Sequence, residues 1–418
     1  MDKNSGSVGP EEPFGWGALT GLRVLDLTQA LAGPYCTQML ADHGAEVVKV
    51  EPPVSGDLAR TTGPYHAQDL EQRNSGYFHS INRNKKSIVV DLKRPEGRDL
   101  IRDIVSGYDV LVENFRVGVM DRLGLSYELL RERNPRLVYA TVRGFGDPRS
   151  SRSPYADWPA FDVVAQAMGG ISGITGPTAD QPLKVGPGVG DIVPALYLTI
   201  GVLCAVIHAK RTGQGQFVDV SMVDAVLAMS ERIVHQWSFG KVVAKPEGNF
   251  HPLMSPFGLY PASDGHVAVA TVSQEFFRLF CQALDAPQLA ELDAFSSQKA
   301  RATAGRTLDQ AVSELTRRFT RAELVERLGG KIPFGPVYTM DDIARDRHFA
   351  VREMLVPIHI EGIDDALYLA GIPIKMSATP GMISSPGPRQ GQHSDEILRA
   401  AGFSPEQIQS WRDAGVIH

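Results

Sequence analysis

Three features of the sequence predict an α/β fold built on a parallel sheet. Short runs rich in Val, Ile and Leu, at residues 22–27, 45–51, 87–92, 109–113 and 137–142, read as strands buried on both faces. Helical stretches separate them, which is the pattern of βαβ units, where a crossover helix joins parallel neighbours. With 418 residues, 43% of them hydrophobic and 22% charged, the chain is long enough for two domains with a substantial core.

Residues 1–18 are polar and rich in Gly, Pro and Glu, with neither an apolar stretch nor a basic start. A loose tail and no signal peptide is the expectation, and with it a cytoplasmic protein. The strand at 22–27 passes through a turn at 28–34 into a helix over 35–43, Gly44 stops that helix, and the strand at 45–51 completes a first βαβ unit. The turn holds Gly33 alone. Without G-x-G-x-x-G after the strand, the sequence speaks against a dinucleotide-binding dehydrogenase. After a polar excursion over 52–75 comes Asn82-Arg83-Asn84-Lys85-Lys86, either a solvated turn or a holder of phosphate, and then the strand at 87–92. Pro95 opens a helix to about Val105. The strand at 109–113 ends at Asn114-Phe115-Arg116, and ligands bind at the carboxyl ends of parallel strands. Helical segments near Asp121 and over 127–133 precede the strand at 137–142. Residues 147–158 are polar and turn-rich, as suits a loop over a site. A short helix over 161–170 closes on glycine.

The chain is organised around Val185-Gly186-Pro187-Gly188-Val189-Gly190-Asp191 and the apolar run that follows over 192–209. Alternate glycines let a backbone approach a ligand closely and take turns closed to other residues. Asp191 falls where a helix N-cap belongs, with Pro194 in the first turn. The helix dipole and unpaired N–H groups there would hold the carboxylate ionised, as a covalent carboxylate nucleophile requires. Capping alone is the other reading of the same residue. The run over 192–209 is long enough to raise the question of a membrane span, but Pro194, Gly201 and His208 interrupt it and strands flank it, so a buried helix and no membrane are expected. The strand at 217–220 and a long helix over 222–237 finish a first domain at about residue 225. The expected organisation is therefore a large domain over 19–225, a crossing segment and small domain over 226–335, and a return to the large domain over 336–418. Within the small domain the sequence predicts a strand at 265–271, a helix at 274–284 and charged helices over 297–328. Strands at 355–360 and 367–370 and a short helix after His393 follow it.

A formal net charge of -6 argues against a general nucleic-acid binder. Cys36, Cys204 and Cys281 are far apart in apolar surroundings. They read as buried thiols, and no metal is expected from their spacing.

Several linked motifs carry a resemblance. They are Gly21-Leu22-Arg23-Val24-Leu25-Asp26-Leu27, Gly33-Pro34 with Gln38-Met39-Leu40-Ala41, Gly44-Ala45-Glu46-Val47-Val48-Lys49-Val50-Glu51 and Asn82-Arg83-Asn84-Lys85-Lys86-Ser87. Val112-Glu113-Asn114-Phe115, Gly190-Asp191, Gly335-Pro336-Val337 and Gly391-Gln392-His393 complete the set. On these the chain resembles the class III coenzyme A-transferases, the CaiB/BaiF family of formyl-CoA and carnitine CoA-transferase type, from residue 19 to the C-terminus. The resemblance implies a Rossmann-like large domain plus a smaller α/β domain, and an obligate homodimer of interlocked rings whose site lies between the large domain of one chain and the small domain of the other. It places Asp191 on the family's nucleophile, which attacks an acyl-CoA thioester to give an aspartyl anhydride and then an aspartyl-CoA thioester. Gly188 and Gly190 would supply backbone donors to the developing oxyanion.

For coenzyme A, the resemblance implies Leu31 and Ala32 in the first turn, Val90, Asp91, Leu92 and Lys93, then Asn114, Phe115 and Arg116 along the crevice, and Arg122 as a phosphate partner. The CoA thioester is a substrate, with no tightly bound cofactor and no metal. Pro52 and Pro159 stand where relatives carry basic residues, which leaves Arg83, Lys85 and Arg143 as candidates for those contacts. Racemases of the same fold carry a histidine where this chain has Phe161, so one of their two bases is missing here; proton transfer at a 2-methylacyl-CoA is kept only as the alternative reading, beside a non-catalytic CoA-binding protein. Residues 249–258 lack the glycine run of oxalate-directed relatives. Formate and oxalate are therefore poorer expectations than a larger acid such as succinate or another dicarboxylate. His235, Trp237 and His251 are candidates for the acceptor pocket.

Overall fold

The computed structural model describes residues 17–418, so the expected tail lies, up to residue 16, outside the described residues. The chain forms two compact units. One comprises the residues up to Gly169, Gly186–Glu231 and His348–His418, and the other Gly170–Val185 and Arg232–Arg347. The expected bound at 225 falls inside a helix of the first unit. That helix, Met222–Met229, buries Met222, Ala225 and Val226, and Val226 packs so closely on Gly169 that a Cβ there would lie 2.5 Å from it.

The first unit is built on strands β1 (Arg23–Asp26), β2 (Glu46–Glu51), β3 (Lys86–Val89), β4 (Val110–Glu113), β5 (Val138–Arg143) and β6 (Phe217–Ser221). They run in the order β3-β2-β1-β4-β5-β6, and every pairing is parallel. The apolar runs become central strands because both faces are covered. Leu25, Val48, Ile88, Leu111 and Tyr139 are all buried in one core with Leu100, Ile101 and Leu130 from the covering helices. The C-terminal segment joins that core through Leu398, Ile408 and Ile417, and Asp91 N–H donates to Val416 O at 2.9 Å.

β1 lies between β2 and β4, so the chain leaves its carboxyl end one way and arrives at β4 from the other. A doubly wound sheet opens its ligand crevice at this reversal of strand order. Two turns border it here, residues 28–31 after β1 and residues 114–116 after β4. Helix α1 (Ala32–Asp42) starts three positions before the expected helix, because the turn ends at Leu31 rather than at Pro34.

The glycine motif leads into α2 (Val189–Thr212), and the expected burial of that helix holds for one face only. Leu198, Val202, Ala205 and Val206 are buried where it packs on α1, β5 and β6, whereas Leu196, Tyr197, Ile200 and Ile207 are exposed. The mean hydropathy of 2.1 over its most apolar 18 residues comes from carrying two apolar faces. The long helix expected over 222–237 is two, Met222–Met229 and Glu231–Gly240, interrupted where Ser230 donates its hydroxyl to Val226 O at 2.8 Å.

The second unit holds an antiparallel sheet of Phe257–Ala262, Gly265–Ala270 and Phe334–Pro336 against a core containing Tyr260, Val267, Phe277, Phe280, Leu308 and Leu324. Its first strand contains Gly258 and Pro261, which disguise it in the sequence. The remaining strands of the first unit, Leu355–Ile358 and Leu367–Ala370, pair antiparallel.

Candidate active site

Asp191 is in the first turn of α2, and the cap position belongs to Gly188. The N-cap reading is therefore corrected by three residues. Gly188 has φ -73, so the motif's glycines serve close approach here rather than a left-handed turn. A Cβ at Gly188 would lie 2.9 Å from Leu31 Cδ2, and one at Gly190 would lie 2.4 Å from Asp162 O. The motif thus lays the start of α2 against the turn after β1 on one side and the helix Asp162–Met168 on the other.

Asp162 organises this approach. Its Oδ1 accepts the Gly190 N–H at 2.8 Å, and Gln166 Nε2 donates to both carboxylate oxygens at 3.0 and 2.9 Å. The Gly190 N–H is accordingly not turned to a ligand, which corrects its expected role as an oxyanion donor. Gly188 accepts through its carbonyl, from Asp191 N–H at 3.1 Å and Ile192 N–H at 2.8 Å.

The protonation of Asp191 is also corrected. Burial, and then the Asp162 carboxylate beside it, push its pKa up to about 7. A helix N-terminus stabilises an anion by roughly 0.3–1 kcal/mol, less than one pKa unit at about 1.4 kcal/mol per unit. Desolvation and like charge outweigh it. Asp191 therefore sits poised between acid and carboxylate near neutrality, a state that suits a nucleophile kept from water. The phenol of Tyr77 feels the same cluster: burial and then the Asp191 charge push it up to about 12.

Asp191 lines a cavity of about 200 Å³ with Ala30, Leu31, Ala32, Asn114, Phe115, Arg116, Pro159 and Phe161. A second cavity of about 510 Å³ is lined by Gln29, Pro52, Val90, Asp91, Leu92, Lys93 and, again, Phe115. Leu31, Ala32, Asn114, Phe115 and Arg116 are thus brought together with Asp191, and Val90 to Lys93 stand in the neighbouring cavity, which Phe115 joins to the first. Arg122 is exposed and lines neither.

Several of the expected ligand contacts are otherwise engaged. The Asn114 amide closes on the backbone of Gln29, accepting its N–H at 2.9 Å and donating to its carbonyl at 2.8 Å. Arg143 is buried, donates to Phe115 O at 2.8 Å and pairs with Glu113 and Asp147; Glu113 in turn accepts the Phe115 N–H at 2.8 Å. Lys85 is fully buried on Asp26 at 3.0 Å, and Arg83 on Asp42 at 2.7 Å. Arg83 and Lys85 hold the protein together away from both cavities, and Arg143 lines the Asp191 cavity with its guanidinium engaged by Phe115, Glu113 and Asp147. Arg116 differs, since it is exposed in the Asp191 cavity and has no ion pair among the described residues. His235 and Trp237 are exposed in the second unit. No group of three or more potential metal ligands occurs among the described residues.

Compared with known proteins, the chain matches CoA-transferase family III over residues 19–394. It is 42% identical to the succinyl-CoA:mesaconate CoA-transferase of Haloarcula marismortui, over 92% of this chain and 97% of that protein. Against the succinate–glutarate CoA-transferase of Agrobacterium fabrum the identity is 35%, over 91% and 94%. The crystal structure of a CaiB/BaiF family protein from Brucella suis superposes with a TM-score of 0.82 at 33% identity, covering 92% of this chain and 99% of that one.

Proposed function

The chain belongs to CoA-transferase family III and is an enzyme that moves coenzyme A from an acyl-CoA to a carboxylic acid; we propose that it takes CoA from succinyl-CoA, gives it to a dicarboxylic acid, and does so through covalent intermediates on Asp191. The observation that carries this reading is the half-buried carboxylate of Asp191, raised to about 7, in a cavity it shares with Leu31, Asn114 and Phe115. The Asp191 carboxylate attacks the thioester carbonyl, forming a mixed anhydride and releasing the CoA thiolate. The thiolate attacks the aspartyl carbonyl of the anhydride, which leaves an aspartyl-CoA thioester and frees succinate. The acceptor carboxylate then attacks that thioester and again releases thiolate, which attacks the acceptor's acyl carbon and restores Asp191. Each step conserves an activated acyl group, so no ATP is needed, and water must be kept from both intermediates.

Both relatives named above use a succinyl donor or acceptor together with a second dicarboxylic acid. Arg116 gives such an acid a partner for its distal carboxylate, since a guanidinium without an ion pair is well shaped to receive one. Arg116→Ala is expected to raise the KM for a dicarboxylic acceptor by about 10-fold or more, with kcat little changed and monocarboxylic acceptors unaffected. Steady-state kinetics with matched mono- and dicarboxylic acids would check this.

A racemase reading finds no support in the cavity. Phe161 lines it, and no histidine does. The homodimer is also part of the proposal. The exposed stripe of Leu196, Tyr197, Ile200 and Ile207 on α2 needs a cover, and a second copy of this chain is the occupant that the family resemblance supplies. Native mass spectrometry is expected to find a dimer of about 91 kDa, twice the 45.5 kDa of one chain.

The function is tested by supplying succinyl-CoA with a pool of carboxylic acids and analysing the CoA esters by mass spectrometry. New dicarboxylyl-CoA species with equal loss of succinyl-CoA are expected. Loss of succinyl-CoA to free CoA alone, or deuterium entering the α-carbon of a 2-methylacyl-CoA, would overturn the transferase reading.

A further inference from the structure

The turn after β1 has an unusual source of order. Residues 28–30 are in no helix or strand, yet side chains of β1 and β2 and of the loops at residues 57 and 114 hold almost every backbone polar group. Thr28 N–H donates to Asp26 Oδ1 at 2.9 Å, and Thr28 O accepts from Lys49 Nζ at 2.8 Å. Gln29 has both its backbone groups on Asn114. Ala30 N–H donates to Asp57 Oδ1 at 3.0 Å. Asp57 and Lys49 pair at 2.7 Å with both side chains fully buried, and Asp57 Oδ1 also accepts Ala59 N–H at 2.8 Å.

Ala30 stands at φ 65, in the left-handed region that a residue with a Cβ enters only under constraint. This residue lines the Asp191 cavity, while its neighbour Gln29 lines the adjoining one. The turn is therefore the border across which a thioester arm must pass to reach Asp191. A buried ion pair is a weak source of stability compared with apolar side chains of the same volume. What this pair does instead is direct one bond from each partner at the turn, Lys49 to the carbonyl of Thr28 and Asp57 to the N–H of Ala30.

We propose that Asp57, neutralised by Lys49, is a positioning residue for CoA transfer, its bond to the Ala30 N–H locking Ala30 in its left-handed conformation so that the thioester meets the Asp191 carboxylate in line. The proposal rests on the reading of the Asp191 cavity as the place of acyl transfer. Neither residue touches substrate. Asp57 acts on alignment, so its effect falls on kcat, where a displacement of about 1 Å can cost on the order of 100-fold.

The test compares two double variants, chosen so that neither leaves an unpaired charge in the core. Lys49→Met with Asp57→Asn keeps an acceptor for the Ala30 N–H, and its kcat is expected within about 3-fold of the native enzyme. Lys49→Met with Asp57→Ala removes that acceptor, and its kcat is expected to fall about 30-fold while KM for succinyl-CoA stays within about 3-fold. Adding Ala30→Gly to the second pair should recover at least about fivefold, since glycine takes the left-handed conformation without steric cost. Equal kcat for the two pairs, a loss confined to KM, or no recovery with glycine would each overturn the proposal. Hydrogen–deuterium exchange on the native enzyme tests the same lock without mutation. The peptide over 28–31 should be as protected as β1, and exchange as fast as that of the largely exposed loop over 148–158 would refute it. Exchange does not depend on turnover, so it separates failure of this proposal from failure of the Asp191 reading, which would appear as activity surviving Asp191→Ala.

Discussion

Replacing Asp191 by alanine is expected to lower CoA transfer by about 10⁴-fold or more, the scale of loss when a covalent nucleophile is removed. The same site predicts an effect on folding of opposite sign. An aspartate whose pKa is raised from 3.8 to about 7 by burial and by Asp162 binds its proton more tightly folded than unfolded. Its contribution to stability is therefore favourable at low pH and is lost as pH rises to about 7, the reverse of a salt-bridged aspartate. At about 1.4 kcal/mol per pKa unit, ionising it costs the folded state on the order of 4 kcal/mol. Asp191→Asn should be inactive and yet melt at a higher temperature than the native enzyme, with the gap widening between about pH 4 and pH 7. Thermal melts across that range check the sign.

The second large effect is on the pH dependence of turnover. Only the carboxylate attacks a thioester, so kcat/KM should fall about tenfold for each unit below the pKa of about 7. Asp162→Asn removes the neighbouring negative charge while retaining an acceptor for the Gly190 N–H. Its inflection should lie at lower pH than that of the native enzyme, and activity at pH 5 should rise relative to activity at pH 8. An unmoved inflection would mean that burial alone sets the pKa.

The parallel sheet was legible because its strands are continuous apolar runs and its connections carry strong helix signals, from Pro95 at a helix start to Gly44 at an end. Asp191 was legible for a different reason: glycines at alternate positions ending on a carboxylate mark a close approach whichever turn they form. What could not be read were pairings distant in the chain. Arg83 meets Asp42, Lys85 meets Asp26 and Arg143 meets Glu113 across 41, 59 and 30 residues, so cations that look available for phosphate are already engaged. The same blindness applies to Asp57 and Asn114, whose partners in the turn after β1 lie 27 and 85 residues away. It applies to the raised pKa of Asp191 too, since local sequence shows the helix dipole and conceals the burial that opposes it. The strand Phe257–Ala262 and the helix Pro405–Asp413 were missed on local grounds. The first contains Gly258 and Pro261, and the second is polar, although Ser404 and Gln407 form a capping box that signals its start.

The covalent bond to Asp191 is tested by intact-protein and peptide mass spectrometry of the enzyme mixed with succinyl-CoA without an acceptor. An adduct with the mass of CoA, less water, is expected on the peptide that contains Asp191, absent from Asp191→Asn protein and discharged when a dicarboxylic acid is added. Sustained CoA exchange with an unmodified Asp191 peptide, or an adduct on any other residue, would contradict it.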